Sequence, residues 1–399
     1  MSMENVAIIG GGFTGIHNAV LFARKGFNVT IVENDEKKVE IINSYNKEIL
    51  HVKEEYVNKH WESLKERISA TPDVKVVEDC KYVVINVNTP LKVVGERLID
   101  LLKRERKVDR YIDFKPLDTT IKNIAKWIKP GTLISSEVTI YPNGTIERVF
   151  LPLVSESDIS NDLYVVHVPE RLNPDDKRWN PENITRVIGG VNSKSLRKGI
   201  RLYRDCLGLT VHPVKDIRIA ELSKIQENTF RFINIVYASL LNICADSDEL
   251  DFYEVVKASS TKPFGYVPFY PGYAGGACLV KDALMLYLWL SRKERNKFAE
   301  FIRLALEINE YMPTFMAKKI VEEARKKKAK RILFYGIGFK PGSKYFVSRE
   351  LNPIARTIDK VKEMIDLKIK VYDPRILEKS DFKDENEALQ WADLVYKWG

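Results

Sequence analysis

The stretch that decides the fold is Asn5 to Asp35, NVAIIGGGFTGIHNAVLFARKGFNVTIVEND. Val6 to Ile9 is an unbroken apolar run, which reads as a buried parallel strand. Glycines follow it. Ile16, Ala19, Val20 and Ala23 then recur at helical spacing, Gly26 ends the helix, and NVTIVE opens a second strand. Gly10, Gly12 and Gly15 have the spacing G-x-G-x-x-G in the one context that gives it weight, after a strand and at the start of a helix. Gly10 permits the tight turn. Gly12 lets a pyrophosphate reach the helix N-terminus, and Gly15 lets helix and strand pack closely. Glu33 closes the second strand, where an acid bonds an adenosine ribose. A carboxylate there repels a 2′-phosphate, so NAD is the expected cofactor rather than NADP.

Outward from this unit the α/β pattern continues. YVVINVNTP (82–90), TLISSEVTIYPNGT (132–145) and DLYVVHVPERLNP (162–174) read as further strands with turns at their carboxyl ends. Residues 217–245 then run without Gly or Pro at a helical period, too long for a routine crossover. More helix is expected from Asp282 to Lys328. After it, RILFYGIGFK, NPIARTIDKVKEMID and KIKVYDPRI read strand, helix, strand, and DLVYKWG as a last strand. The expected fold is α/β: two Rossmann-like doubly wound parallel-sheet domains joined by a helical middle domain with one long helix. The boundaries fall at 1–212, 213–312 and 313–399.

Bulk properties agree with a globular chain of 399 residues, 45% hydrophobic and 30% charged. The net charge of +9 suits a basic surface, a nucleic acid or an acidic substrate such as a phosphate ester, and composition does not choose. The one dense basic run, Arg325 to Arg331, leads straight into an apolar strand and reads as a solvated helix end. Cys80, Cys206, Cys244 and Cys278 show no CxxC spacing and there are five His, so neither a metal site nor a disulfide framework is expected. No signal peptide or membrane-length apolar run is visible, which leaves the cytoplasm as the expected location.

The stretch YPGYAGGACLVKD (270–282) is unusual. Gly272, Gly275 and Gly276 surround Cys278, and Lys281 and Asp282 follow within a turn. A lone cysteine is ordinarily a small buried residue; among glycines, which let other groups approach, it suggests a nucleophile. Lys224 and Asn228 are four apart and share a helix face, where they are either solvated or functional.

Dinucleotide binding beside a nucleophilic cysteine suggests oxidation through a thio-intermediate. On GGGFTG, NVNTP, EVTIYPNGT, VPERLNP, ELSKIQENTFR, PGYAGGACLVKD and GIGFKPGSKYFVSRE, in that order, the chain resembles the UDP-glucose/GDP-mannose dehydrogenase family over nearly its full length. The resemblance implies oxidation of the C6 alcohol of a nucleotide sugar to a carboxylate with two NAD⁺. Cys278 would form the thiohemiacetal and thioester, and Lys224 and Asn228 would stabilise oxyanions. Asp282 would position or activate water, assisted by Thr139 and Glu170. Gly10, Gly12, Phe13, Thr14, Gly15, Glu33, Thr89 and Arg349 would hold NAD. Glu170, Arg171, Leu172, Lys224, Asn228, Gly275 and Lys340 would hold the UDP-sugar. The long helix would form much of a homodimer interface. No metal, nucleic acid or membrane is implied.

There are departures. Val347 stands where the family carries aspartate, SRELNP is one residue longer, Lys262 or Pro263 replaces an arginine, and Pro142-Asn143-Gly144-Thr145 replaces Pro-Gly-Thr. PERLNP, RVIGG and TPLK resemble the members acting on UDP-N-acetylhexosamines, with UDP-N-acetylmannosamine foremost. Lys281 before Asp282 resembles UDP-glucose enzymes. The competing readings are a single-step β-hydroxyacid dehydrogenase, a non-catalytic nucleotide-sugar-binding relative, and a basic nucleic-acid-binding module.

Overall fold

The structure, a computed structural model, describes residues 4–45, 54–105, 107–157, 162–292 and 296–398. The chain forms two compact units, Met1–Pro90 with Asp113–Ile225, and Leu91–Ile112 with Gln226–Gly399.

The first unit is built on eight strands: β1 (Asn5–Ile9), β2 (Asn28–Val32), β3 (Ile68–Thr71), β4 (Tyr82–Ile85), β5 (Leu133–Ser136), β6 (Tyr164–His167), β7 (Arg186–Gly190) and β8 (Val211–Pro213). Their spatial order is β3-β2-β1-β4-β5-β6-β7-β8. The chain leaves β1 in one direction and returns to its other side with β4, so the topological switch point lies between β1 and β4. Val6, Ala7 and Ile8 are fully buried, as the apolar run requires. The helix Phe13–Arg24 buries every residue from Gly15 to Ala23. One pairing departs from the parallel expectation: β6 and β7 run antiparallel. The segment between them, 168–185, holds no long helix among its described elements, and an antiparallel return needs no helical crossover.

The long helix spans Ile217–Ser247, two residues beyond the sequence reading. In the second unit, helices Ala277–Ser291 and Asn296–Lys326 occupy the stretch expected to be helical; residues 293–295 of that stretch lie outside the described residues. A three-stranded parallel sheet follows, β9 (Arg331–Tyr335), β10 (Lys368–Tyr372) and β11 (Leu394–Lys397), in the order β10-β9-β11. Asn352 caps the helix Pro353–Met364, its side chain accepting Ile354 N and Ala355 N at 3.0 and 2.9 Å. The extended SRELNP stretch thus ends in an Asn cap with Pro at the first helical position, where its missing N–H costs nothing.

Candidate active site

The expected site residues fall into two sets, one in each unit. In the first unit they stand on the turns that follow the carboxyl ends of parallel strands. Gly10 to Gly15 follow β1, Thr89 follows β4, Thr139 follows β5 and Glu170 to Leu172 follow β6. Parallel pairing puts these turns on one edge of the sheet, the edge where open α/β sheets bind ligands.

The glycine turn sits at the switch point. Gly10 has φ +104°, and a Cβ there would lie 2.9 Å from Asn86 O at the end of β4. A Cβ on Gly15 would lie 1.8 Å from Gly10 O, so no other residue fits. A Cβ on Gly12 would meet nothing within 4 Å, which leaves open space at the N-terminus of helix Phe13–Arg24. Glu33 accepts Gly11 N at 2.9 Å and Asp35 N at 3.1 Å, and Lys38 Nζ stands 3.6 Å from it. Its carboxylate is therefore held beside the turn. Phe13 packs at a tilt against His17, with ring centroids 4.3 Å apart, and Thr14 lies next to it, half-buried. These features fit a dinucleotide: an open helix N-terminus for a pyrophosphate and a fixed acid for a ribose.

Thr89 is buried and donates to Thr139 O at 3.1 Å, tying together the turns after β4 and β5. Glu170 accepts the Leu172 N–H, and Arg171 donates to Thr185 O at 3.1 Å. Lys224 is half-buried on the long helix.

Two parts of this unit carried no sequence signal. Beneath the turn, Asn18 Nδ2 reaches Asn86 Oδ1 at 3.1 Å and Glu137 Oε2 at 2.7 Å. Glu137 also accepts Tyr203 OH at 2.7 Å and lies 3.8 Å from buried Arg186. Burial raises the Glu137 carboxyl above its usual range, with the Arg186 charge opposing. The second part is Glu221, which accepts Asn143 N at 2.6 Å and Thr145 N at 2.7 Å. Burial pushes its carboxyl up to about 7, against the pull of those N–H donors. Asn143 has φ +79°, a conformation Asn tolerates, and this is how the unusual Pro-Asn-Gly-Thr turn closes.

In the second unit, Cys278 is exposed at the second position of helix Ala277–Ser291, a helix that begins directly after Gly276 with φ +81°. A helix N-terminus favours the negative charge that develops when a carbonyl is attacked. Asp282, one turn on, is fully buried and accepts Asn228 Nδ2 at 2.5 Å. Arg231 donates to Asn228 Oδ1 at 2.5 Å, so the amide is held at both ends. The structure thus brings Asn228 and Asp282 together. A Cβ on Gly275 would lie 2.8 Å from Pro353 Cδ and 2.9 Å from Leu351 O, so protein fills the space beside it. Lys340 is half-buried with its Nζ 5.4 Å from the Phe339 ring centroid. Arg349 is exposed and paired with Asp359.

The chain matches the NAD binding domain of the UDP-glucose/GDP-mannose dehydrogenase family over residues 4–207, and the central domain of the same family over 218–311. The chain belongs to the UDP-glucose/GDP-mannose dehydrogenase family. Protein CapL of Staphylococcus aureus is 30% identical over 325 residues, 81% of this chain and 71% of that protein. UDP-N-acetyl-D-glucosamine 6-dehydrogenase of Salmonella typhi is 24% identical over 377 residues, 92% of this chain and 82% of that protein. The solved structure of UDP-D-ManNAc dehydrogenase from Pyrococcus horikoshii matches with a TM-score of 0.83 at 25% identity, over 99% of this chain and 88% of that one. As a member of the UDP-glucose/GDP-mannose dehydrogenase family, the protein is an NAD-dependent nucleotide-sugar dehydrogenase, an oxidoreductase. Among the described residues, no helix is long and apolar enough to cross a membrane.

Proposed function

We propose that the protein oxidises the C6 primary alcohol of a UDP-N-acetylhexosamine, UDP-N-acetyl-D-mannosamine first among them, to the uronic acid. The observation that carries the chemistry is an exposed Cys278 at a helix N-terminus, one turn before a buried Asp282 that Asn228 holds at 2.5 Å. NAD⁺, held by the glycine turn after β1 and by Glu33, would supply the hydride acceptor for the two oxidations at C6. Between them the Cys278 sulfur adds to the C6 aldehyde and its proton passes to the carbonyl oxygen, giving a thiohemiacetal. After the second oxidation a thioester remains. Water cleaves it, releasing the carboxylate and restoring the thiol.

Asn228 and Lys224 stabilise the oxygen that gains charge in these steps. Asp282, assisted by Thr139 and Glu170, positions the water. Gly10, Gly12, Phe13, Thr14, Gly15, Glu33, Thr89 and Arg349 hold the cofactor. Arg171, Leu172, Gly275 and Lys340 hold the nucleotide sugar. The sugar assignment draws on PERLNP and TPLK, and on two relatives named for N-acetylhexosamine substrates. UDP-glucose is the second reading, favoured by Lys281 directly before Asp282.

The same reading includes a homodimer. Phe230, Tyr237 and Leu240 on the long helix are exposed, as are Phe264, Val267 and Tyr270 before the cysteine loop. Apolar side chains gathered in this way suit a second copy of the chain.

NADH absorbance with UDP-N-acetyl-D-mannosamine, UDP-N-acetyl-D-glucosamine, UDP-glucose and GDP-mannose tests the proposal. The expected result is two NADH per sugar with one member. One NADH per sugar supports a single-step dehydrogenase instead. Cys278→Ala should bind NAD and form no acid; acid formation at the wild-type rate in that variant overturns the mechanism.

A further inference from the structure

The loop that delivers Cys278 is tied down at four of the five residues from Gly272 to Gly276. Gly272 N donates to Ser239 Oγ at 3.0 Å, and Ser239 is fully buried on the long helix. Tyr273 OH donates to Glu310 Oε1 at 3.3 Å, and Arg356 Nη1 reaches the other Glu310 oxygen at 2.5 Å. Ala274 N donates to Asn309 Oδ1 at 2.7 Å. Gly276 N donates to Leu351 O at 2.9 Å. Two neighbouring residues of helix Asn296–Lys326 thus grip two neighbouring residues of the loop, and the helix bearing Cys278 begins immediately after the last tie.

Asn309 stands out among these ties. It is fully buried, and its Nδ2 meets no acceptor among the described residues. Turning the amide over would set its N–H against the Ala274 N–H, so the carbonyl must face the loop. A buried donor left unmatched costs stability, so the amide is retained for what its carbonyl does. What Asn309 supplies is an acceptor for the Ala274 N–H, itself buried. Without that acceptor Ala274 has to move to find another. Gly275 is confined by Pro353 and Leu351 O, and Gly276 by Phe339, so the shift passes to the start of the Cys278 helix.

We propose that Asn309 is a positioning residue that sets the Cys278 sulfur for addition to the sugar aldehyde, acting through Ala274 and the glycine loop. The inference rests on the role given to Cys278 above. Its signature follows from the chemistry. The first oxidation does not use the sulfur, and the second needs the thiohemiacetal. A misplacement of about 1 Å costs on the order of 100-fold in a reacting pair. Loss of Asn309 Oδ1 therefore slows the second oxidation and spares the first.

The test is stopped-flow NADH formation with UDP-N-acetyl-D-mannosamine, NAD⁺ and a hydrazide to trap free aldehyde, on wild type, Asn309→Ala and Asn309→Asp. In Asn309→Ala the first NADH should form within about threefold of the wild-type rate, the second should slow by about tenfold or more, and trapped aldehyde should appear. KM for the sugar nucleotide should stay within about threefold. Asn309→Asp keeps an acceptor and should bring the second phase back to within about threefold of wild type. Wild-type kinetics in Asn309→Ala, or equal slowing of both phases, overturns the proposal. If Asn309→Ala does not fold, Ser239→Ala releases the loop at Gly272 and must show the same split; its absence overturns the proposal too. Cys278→Ala is run alongside. Acid formation in that variant sinks the nucleophile itself, whereas an inactive Cys278→Ala beside an unsplit Asn309→Ala sinks only the positioning role.

Discussion

Two glycine-rich loops open helices in this protein, and they differ in what the glycine nearest the helix start faces. At the first, a Cβ on Gly12 would enter open space, and the missing side chain leaves room at a helix N-terminus. At the second, a Cβ on Gly275 would strike Pro353 and Leu351 O, and one on Gly276 would come within 3.1 Å of Phe339. The first loop is open at Gly12 and packed at Gly10 and Gly15. The second is closed against its own unit, which holds an exposed cysteine still. Spacing in the sequence does not separate the two cases, because a glycine looks the same whether its vacancy faces solvent or protein.

Substitutions can break this comparison, and the largest effect is expected at Gly15. Its Cβ would lie 1.8 Å from Gly10 O, so Gly15→Ala should cost about 3 kcal/mol or more and abolish NAD binding. Gly12→Ala is the control inside the same loop. It should leave stability within about 0.5 kcal/mol and still weaken NAD binding by tenfold or more. Urea melts and NAD titration of both variants check the pair; equal destabilisation would erase the distinction between packing and open glycines.

Gly275→Ala should cost about 2 kcal/mol, since the obstructing atoms are a proline ring and a backbone oxygen. It should lower acid formation while leaving NAD affinity unchanged. Unaltered melting would show that the second loop is open like the first.

The last effect sharpens the comparison through pH. Burial raises the folded Glu221 carboxyl from the ordinary 4.5 to about 7. A carboxyl with a raised folded pKa binds its proton more tightly in the folded state. Its contribution to stability is whole below about pH 4.5 and is lost as pH rises through about 7. Glu221→Gln removes that slope. Between pH 5 and 7 the stability of the variant relative to wild type should rise by about 2 kcal/mol, read from urea melts. A constant difference across that range would place the Glu221 titration elsewhere.

Much of the site was legible along the chain. Gly10, Gly12, Gly15 and Glu33 declared themselves because one βαβ unit contains the whole motif within about thirty residues. Cys278 and Asp282 declared themselves because one helical turn joins them. Asn228 shares a helix face with Lys224 and takes its expected role from the family resemblance; its bond to Asp282 links residues 54 apart and needed the fold. Asn309, Glu310 and Arg356 were not legible. On a helix, Asn309 in EINEYMP reads as one polar residue among others, and nothing local says that it faces a loop. Glu221 was hidden in the same way, since its two N–H partners come from a turn more than seventy residues earlier.

The sequence by itself determined the α/β class, the glycine turn after the first strand, the long helix and the placing of Cys278 one helical turn before Asp282, because each is written in residues close together in the chain and short-range sterics and periodicity set its form. The tertiary structure alone decided that β7 turns antiparallel, that Asn143 closes its turn in a left-handed conformation over Glu221, and that Asn309 holds the cysteine loop. Those outcomes depend on which buried donor meets which distant acceptor. That matching is settled only when the chain has packed, since a buried N–H without a partner is costly and each must find one within reach.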